Sequence, residues 1–246
     1  LGDVYKRQLH TVGSSVGELG SHLEKYVITE EVVIEDASAS TSRAVICGPQ
    51  AESAAMSIVE TLEGSAGLSV SRAAVHWIGS DDVLLWTEAI DSEDLPLAAV
   101  AAGVPVGSPE NFESQRIAAL LPIVGIDITS ENLAQEVDRD RLAISFSKGC
   151  YLGQEVVAKA THIGGVGNLL MGLMLDDGSL PAEGARVLHE DGKEIGSLTS
   201  AVFSPRLQCV IAFAYLKRAF ASAGKQCRVE LPAGGTAEAE IVERFF

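Results

Sequence analysis

The stretch ARVLHEDGKEIGSLTSAVFSPRLQCVIAFAYLK, residues 185–217, decides the fold class of the C-terminal part of this chain. It holds three β-strand patterns, and Asp191-Gly192 supplies a hairpin turn between the first two. Similar short patterns occur before and after it, separated by glycine-rich turns. The strands are predicted at 169–175, 185–189, 194–203, 208–214, 226–231 and 237–242. Six short strands with such turns predict a small antiparallel β-barrel over residues 166–246.

The chain upstream of the barrel mixes helical and strand patterns. Helices are predicted over 9–26, 51–62, 95–102 and 111–120, and strands over 32–34, 44–47, 68–78 and 83–86. The last two strands read as a hairpin across residues 79–82. This order of elements is typical of a ferredoxin-like α+β unit, in which helices cover one face of an open sheet.

Composition and charge exclude several classes of function. Acidic residues outnumber basic ones by 34 to 18, which gives a net charge of -16 and argues against a direct grip on nucleic-acid phosphates. The longest apolar runs are short and interrupted by Pro or Gly, so no membrane span is expected. The four cysteines show no Cys-x-x-Cys spacing, which disfavours a zinc site, a locally ligated iron–sulfur cluster or a disulfide framework. A reducing compartment is therefore predicted.

The octapeptide KGCYLGQE, residues 148–155, places a thiol, an ammonium, an amide and a carboxylate around two glycines. Residues 142–146 alternate like a short strand and residues 154–160 read as a helix, so Cys150 is expected in a strand-to-helix turn. Gly149 and Gly153 would let a ligand approach the main chain. Lys148 and the helix amides would stabilise a thiolate at Cys150. The alternative interpretation is a small buried cysteine packed under a tight turn.

The octapeptide, with AISFS before it and VVAKA after it, resembles the signature of the YgfZ-type folate-binding proteins. These proteins are relatives of the glycine-cleavage aminomethyltransferases and support iron–sulfur enzymes. Weaker matches lie at 47–51, Arg116 to Pro122, Gly125, Asp127, Gln135-Glu136, 196–200, Ser204-Pro205 and 211–215. The resemblance implies an α+β, aminomethyltransferase-like folate-binding fold, with a ferredoxin-like α/β portion and a C-terminal antiparallel β-barrel.

The resemblance also implies a domain plan. Residues 9–165 would form a partial folate-binding domain that carries the octapeptide, and residues 166–246 would form the barrel domain. Residues 1–8 are treated as a doubtful or non-native start. The chain is expected to have lost an N-terminal portion, including the region where the transferases carry a catalytic acid.

The cofactor and partners follow from the same resemblance. It implies that the chain binds tetrahydrofolate and holds no resident metal or cluster, since one cysteine cannot supply the usual four ligands. Cys150 would be the functional thiol, supported by Lys148. The folate contacts would come from Tyr151, Gln154, Glu155, Arg116, Gly149 and Gly153. Expected partners are iron–sulfur client or assembly proteins, with a link to tRNA modification through iron–sulfur enzymes. The protein is expected to be a monomer of the bacterial cytoplasm, or of the mitochondrial matrix if eukaryotic.

Two other functions remain open at this point. One is a folate-dependent aminomethyl or one-carbon transferase, which the wider fold relationship allows. The other is a cysteine-nucleophile hydrolase that uses Cys150 with His162 as its base. A further alternative concerns Arg116, which would either lie near the ligand cavity or form an ordinary surface ion pair with Asp127.

Overall fold

A three-stranded antiparallel sheet organises the first part of the chain. The computed structural model describes residues 6–11, 16–66, 69–79, 81–88, 93–161, 165–176 and 178–245. Strands β1 (Thr41–Ile46), β2 (Val70–Val75) and β3 (Asp82–Glu88) pair in the order β1-β3-β2. Because β3 lies between β1 and β2 and runs antiparallel to both, the unit is a split β-α-β arrangement, as the ferredoxin-like prediction requires.

Two helices cover one face of this sheet. Helix α2 (Ala51–Ala66) connects β1 to β2, and α3 (Asp94–Ala101) follows β3. Ile58 of α2 and Leu95 of α3 are each 2% exposed and pack against Leu85 of the central strand. Burial of these apolar side chains holds the layer together.

The first helix and first strand differ from the prediction. Within the described residues, α1 covers Val16–Glu24 instead of 9–26, and residues 31–37 contain no strand. Val32 and Val33 are 54% and 82% exposed, so the described part of the chain offers this short β-branched run neither a strand partner nor a core to bury it. Strand propensity alone does not form a strand without a neighbour to pair with.

A largely helical segment joins the sheet to the barrel. Helix α4 (Pro109–Ala118) begins with a capping box between Ser108 and Asn111 and has proline in its first turn. A 3-10 turn (Ala134–Val137), helix α5 (Asp140–Ala143) and helix α6 (Gln154–Lys159) follow. The strand predicted at 142–146 is wrong, because α5 occupies its first residues and no described strand pairs with the rest.

The C-terminal part is a closed antiparallel barrel, which confirms the predicted fold class. Its strands are β4 (Asn168–Leu175), β5 (Arg186–Leu188), β6 (Glu194–Ser204), β7 (Cys209–Lys217), β8 (Gln226–Glu230) and β9 (Thr236–Val242). They follow one another around the barrel in the order β4-β7-β6-β5-β8-β9, and pairing of β4 with β9 closes it. Leu173, Val187, Leu216 and Val229 are fully buried inside.

One glycine is required by the close approach of two barrel strands. A Cβ atom at Gly196 of β6 would lie 2.0 Å from the carbonyl oxygen of Tyr215 in β7. The absence of a side chain therefore permits this strand pair. Among the described helices, none combines the length and the apolar character that crossing a membrane requires.

Candidate functional site

The octapeptide lies at the surface, where it forms the end of the loop between α5 and α6 and the first two residues of α6. Cys150 is exposed and unbonded to another cysteine. Gly153 caps the start of α6 with a φ angle of +85°, a conformation that favours glycine. The turn is therefore helix-to-helix, and the strand expected before Cys150 is absent from the described residues. Packing under the turn does not explain the cysteine, because its side chain is not buried.

Short-range contacts order the side chains of this loop. The ammonium of Lys148 lies 4.3 Å from the ring centroid of Tyr151, within cation–π distance. The backbone N–H of Tyr151 donates to the side-chain oxygen of Gln154 at 3.4 Å. Glu155 forms an exposed ion pair with Lys159 at 2.7 Å, one helical turn away. The loop thus presents four different polar groups to solvent beside an aromatic ring.

A buried glutamine attaches α6 to the 3-10 turn. The amide nitrogen of Gln135 donates to the carbonyl of Val157 at 2.9 Å and to the hydroxyl of Thr161 at 3.3 Å. Gln135 is only 7% exposed. Val137, in the same turn, packs with Leu170 of β4. The loop is therefore linked through Gln135 to the body of the protein, although its own residues are exposed.

Arg116 lies at the centre of a buried polar network, away from the surface. It is 1% exposed and pairs with Asp127, which is fully buried, at 2.8 Å. Its remaining N–H groups donate to both oxygens of Glu113, the carbonyl of Leu121 and the hydroxyl of Ser200. The interpretation of Arg116 and Asp127 as a surface ion pair is wrong. All five N–H groups of Arg116 have protein acceptors, and its expected contact with a ligand stays a prediction.

An irregularity in β6 allows the barrel to join this network. The register between β6 and β7 shifts between Leu198 and Ser200. Successive side chains of a regular strand point to opposite faces, but a bulge changes that direction. As a result, the hydroxyls of Thr199 and Ser200 both donate to one oxygen of Asp127. The network therefore connects α4 and the loop after it to the barrel.

Glu136 and Tyr215 are two further polar residues that the sequence does not single out as site residues, and no hydrogen bond joins them among the described residues. Glu136 is 8% exposed and accepts the backbone N–H of Leu133. The hydroxyl of Tyr215 is buried without a hydrogen-bond partner in the described part of the chain. Burial raises the pKa of Tyr215 to about 12, and the carboxylates of Glu136 and Asp127 add to the shift. Both residues lay within sequence matches to the folate-binding family, which was the available signal.

The expected site residues fall into two groups. Lys148 to Glu155 share the exposed loop, whereas Arg116 is buried against the barrel. His162 lies outside the described residues, so its pairing with Cys150 stays a prediction. Across the described ranges, no three His, Cys, Asp or Glu side chains are grouped so that they could hold a metal ion.

The sequence is similar to those of aminomethyltransferases and of the glycine cleavage T-protein. Residues 169–246 match the family model of the glycine cleavage T-protein C-terminal barrel domain. An aminomethyltransferase of Thermus thermophilus is 30% identical over 210 residues, which cover 80% of this chain and 57% of the relative. The aminomethyltransferase of Koribacter versatilis is 27% identical over 211 residues, 76% of this chain and 53% of the relative. The chain thus spans about half the length of these relatives.

The fold comparison extends over nearly the whole chain. The crystal structure of glycine cleavage system aminomethyltransferase T from Bartonella henselae superposes with a TM-score of 0.74 at 20% identity. The match covers 94% of this chain and 68% of that one. Residues 169–246 are therefore similar to the glycine cleavage T-protein C-terminal barrel domain, and the chain as a whole has an aminomethyltransferase-like fold.

Proposed function

We propose that the protein is a YgfZ-like accessory protein that binds a tetrahydrofolate and supports the assembly or repair of iron–sulfur clusters in other proteins. One observation carries the proposal: the thiol of Cys150 is solvent-accessible in an ordered surface loop whose sequence resembles the family signature. An exposed cysteine beside a lysine is available to a partner, whereas a buried one is inert. The aminomethyltransferase-like fold supports the folate part of the proposal.

The residues of the loop suit a folate in the chemistry of their side chains. A pterin presents a donor and acceptor edge, which an amide and a carboxylate can match. Gln154 uses its oxygen within the loop and keeps its NH2 group for a ligand, and Glu155 can exchange a weak surface ion pair for a ligand contact. Tyr151 and the backbone at Gly149 and Gly153 would complete the contact surface. When bound, the reduced pterin would serve as a carrier of one-carbon units.

In this proposal Cys150 engages a client or assembly protein transiently. Lys148 favours an approaching acidic group of the partner by its positive charge. Arg116 would act at a distance, because it fixes α4 to the barrel. Helix α6 depends on the same barrel, to which Gln135 and Val137 of the 3-10 turn connect it. We further propose that residues 9–165 belong to the folate-binding part and residues 166–246 to the barrel domain.

Calorimetric titration with 5-formyltetrahydrofolate tests the ligand. We expect saturable binding with one site, and weaker binding in Gln154→Ala and Glu155→Ala variants. Glu131→Gln, which alters an exposed acid outside the loop, is the matched control and should bind as the unaltered protein does. Absence of saturable binding would reject the folate proposal and the transferase alternative together.

Complementation in cells that lack a related protein tests the thiol. Cys150→Ser should lower the activity of a cluster-dependent dehydratase such as aconitase without changing the amount of the protein. Cys47→Ser is the matched control, since Cys47 is also a free and exposed cysteine. Equal aconitase activity with Cys150→Ser and with the unaltered protein would reject the role of this thiol.

A folate-dependent aminomethyltransferase is the second candidate, favoured by the names of the relatives. It predicts that an aminomethyl-carrying protein and tetrahydrofolate react to give 5,10-methylenetetrahydrofolate, ammonia and the carrier protein with a proton in place of the aminomethyl group. Because transfer needs no thiol, the rate should then be unchanged in Cys150→Ser. The proposed accessory function predicts no such product.

A further inference from the structure

A cavity of about 520 Å³ lies between the helical segment and the barrel. Its apolar wall comes from both sides and includes Leu142, Leu170, Met171, Phe213, Val242 and Phe245. A volume of this size is in the range that small organic ligands occupy. The lining residues in the described part of the chain do not include the octapeptide, so the cavity is separate from the exposed loop.

Arg139 brings an unbalanced positive charge to this wall. It follows the 3-10 turn and is half-buried. One of its NH groups donates to the carbonyl of Leu120 at 2.7 Å, and no carboxylate of the described residues lies within ion-pair distance of it. Burial lowers the pKa of the Arg139 guanidinium, which is the direction expected for a desolvated cation. A guanidinium has five N–H groups, so most of its hydrogen-bonding capacity is left for another acceptor.

The other charged groups of the cavity do not neutralise Arg139. Asp138, Glu243 and Arg244 also line it, but all three are exposed at its edge and are solvated by water. Asp140 lies next to Arg139 in sequence, but the described residues show no ion pair between them, and its Oδ1 is buried without a hydrogen-bond partner. Burial and the charge of Asp138 raise the pKa of Asp140, which favours its neutral form. Arg116 differs in this respect, because every N–H group of that buried arginine has a protein acceptor. A half-buried guanidinium with no carboxylate partner among the described residues keeps only part of its hydration, so an anion inside the cavity would interact with it more strongly than with a fully solvated arginine.

We propose that this cavity binds a small organic anion with a flat apolar body. The acid group of the ligand pairs with Arg139, where a carboxylate or sulfonate can accept two parallel N–H bonds. The apolar body lies against Phe213, Phe245 and Met171. The inference stands apart from the proposed accessory function, because it uses neither Cys150 nor the octapeptide.

Two fluorescent probes of nearly the same shape test the proposal. The first is 1-anilinonaphthalene-8-sulfonate, which carries an acid group, and the second is N-phenyl-1-naphthylamine, which lacks it. We expect both to bind the full chain at one site, and the sulfonate to bind more tightly. In Arg139→Gln the affinity for the sulfonate should fall at least about tenfold, since it loses charge-assisted hydrogen bonds, whereas the neutral probe should bind as before.

Three further variants localise the effect. Arg141→Gln removes an exposed arginine of α5, two residues after Arg139 and not part of the lining, and should change neither affinity. Arg139→Lys should keep part of the preference for the sulfonate. Ala119→Phe places a ring in the cavity and should weaken both probes, with circular dichroism to verify the fold. Equal sulfonate binding by Arg139→Gln and the unaltered protein would overturn the proposal, as would equal losses in Arg139→Gln and Arg141→Gln.

Discussion

Replacing Arg116 with Met is expected to remove a large part of the stability of this protein. Arg116 and Asp127 are 1% and 0% exposed, so the variant would leave a carboxylate buried without its cation. Asp127 would keep its bonds from Ile123, Thr199 and Ser200, but these donors carry no charge. Breaking a buried ion pair by removing one partner costs about 3–5 kcal/mol. That is a large share of the ~5–15 kcal/mol that separates folded from unfolded domains.

Urea unfolding followed by far-ultraviolet circular dichroism measures this loss. Trp77 and Trp86 belong to the sheet portion, so their fluorescence would not report directly on the network. Arg72→Met is the matched control, because Arg72 pairs with Glu52 with both side chains largely exposed. Removing such a surface pair costs about 0–1 kcal/mol.

A double variant, Arg116→Met with Asp127→Leu, separates the charge from the packing. Replacing both members of a buried pair by apolar residues of similar size is often neutral or stabilising. We therefore expect the double variant to recover part of the stability that Arg116→Met loses. If Arg116→Met costs no more than Arg72→Met, the network does not stabilise the junction between α4 and the barrel, and the reasoning is refuted.

Three further predictions follow from the described geometry. Dithionitrobenzoate at pH 8 should label Cys150 at least about tenfold faster than Cys47. Although Cys47 is exposed as a residue, partial burial of its thiol and the nearby Asp82 raise the pKa of Cys47 to about 12 and so deplete its thiolate. Equal labelling rates in peptide mapping would contradict this. Tyr215→Phe should leave the free energy of unfolding unchanged or raise it by up to about 1 kcal/mol, since it removes a buried hydroxyl without a partner. The same variant should lose less stability between pH 10 and 12, because in this range the Tyr215 phenol ionises in the unfolded chain but stays protonated in the folded one. Urea unfolding curves at several pH values measure both effects. If the free energy of unfolding depends on pH equally in both proteins, the raised pKa of Tyr215 is contradicted. Gly196→Ala should destabilise the barrel by more than about 3 kcal/mol or prevent folding, because the added carbon meets a backbone oxygen that cannot move aside. Thermal unfolding measures this loss. A midpoint within a few degrees of that of the unaltered protein would show that β6 and β7 can separate enough to admit a methyl group.

The barrel was predictable because its strands carry local signals. Each strand has alternating or continuous apolar residues bounded by turn residues, and the turn at Asp191-Gly192 fixes the pairing of its neighbours. The predicted bounds of the six strands agree with the observed ones to within a few residues. The strand predicted at 142–146 failed because its alternation is only one requirement, and hydrogen bonding to a neighbouring strand is another.

The candidate site was only partly visible in the sequence. The octapeptide was recognised from its composition and spacing, but its exposure was not, since free cysteines are buried more often than not. The sequence offers Asp127 as a surface partner of Arg116, but it does not indicate that this pair is buried or that α4 and β6 supply further acceptors. Arg139 gave no signal at all, because an arginine among acidic residues at 138–140 reads as an ordinary solvated surface.

The sequence by itself determined the elements and their class: a ferredoxin-like sheet portion, a closed C-terminal barrel and an unusual cysteine loop between them. These properties depend on local periodicity, turn residues and a contiguous motif, which are all encoded within a few residues of one another. Only the tertiary structure decided which charges are balanced. It buried Arg116 among acceptors that lie up to 84 residues away and left Arg139 facing a cavity, with one carbonyl as its partner among the described residues. Burial and charge balance depend on what distant segments bring to the same place, and this information is absent from any local stretch of sequence.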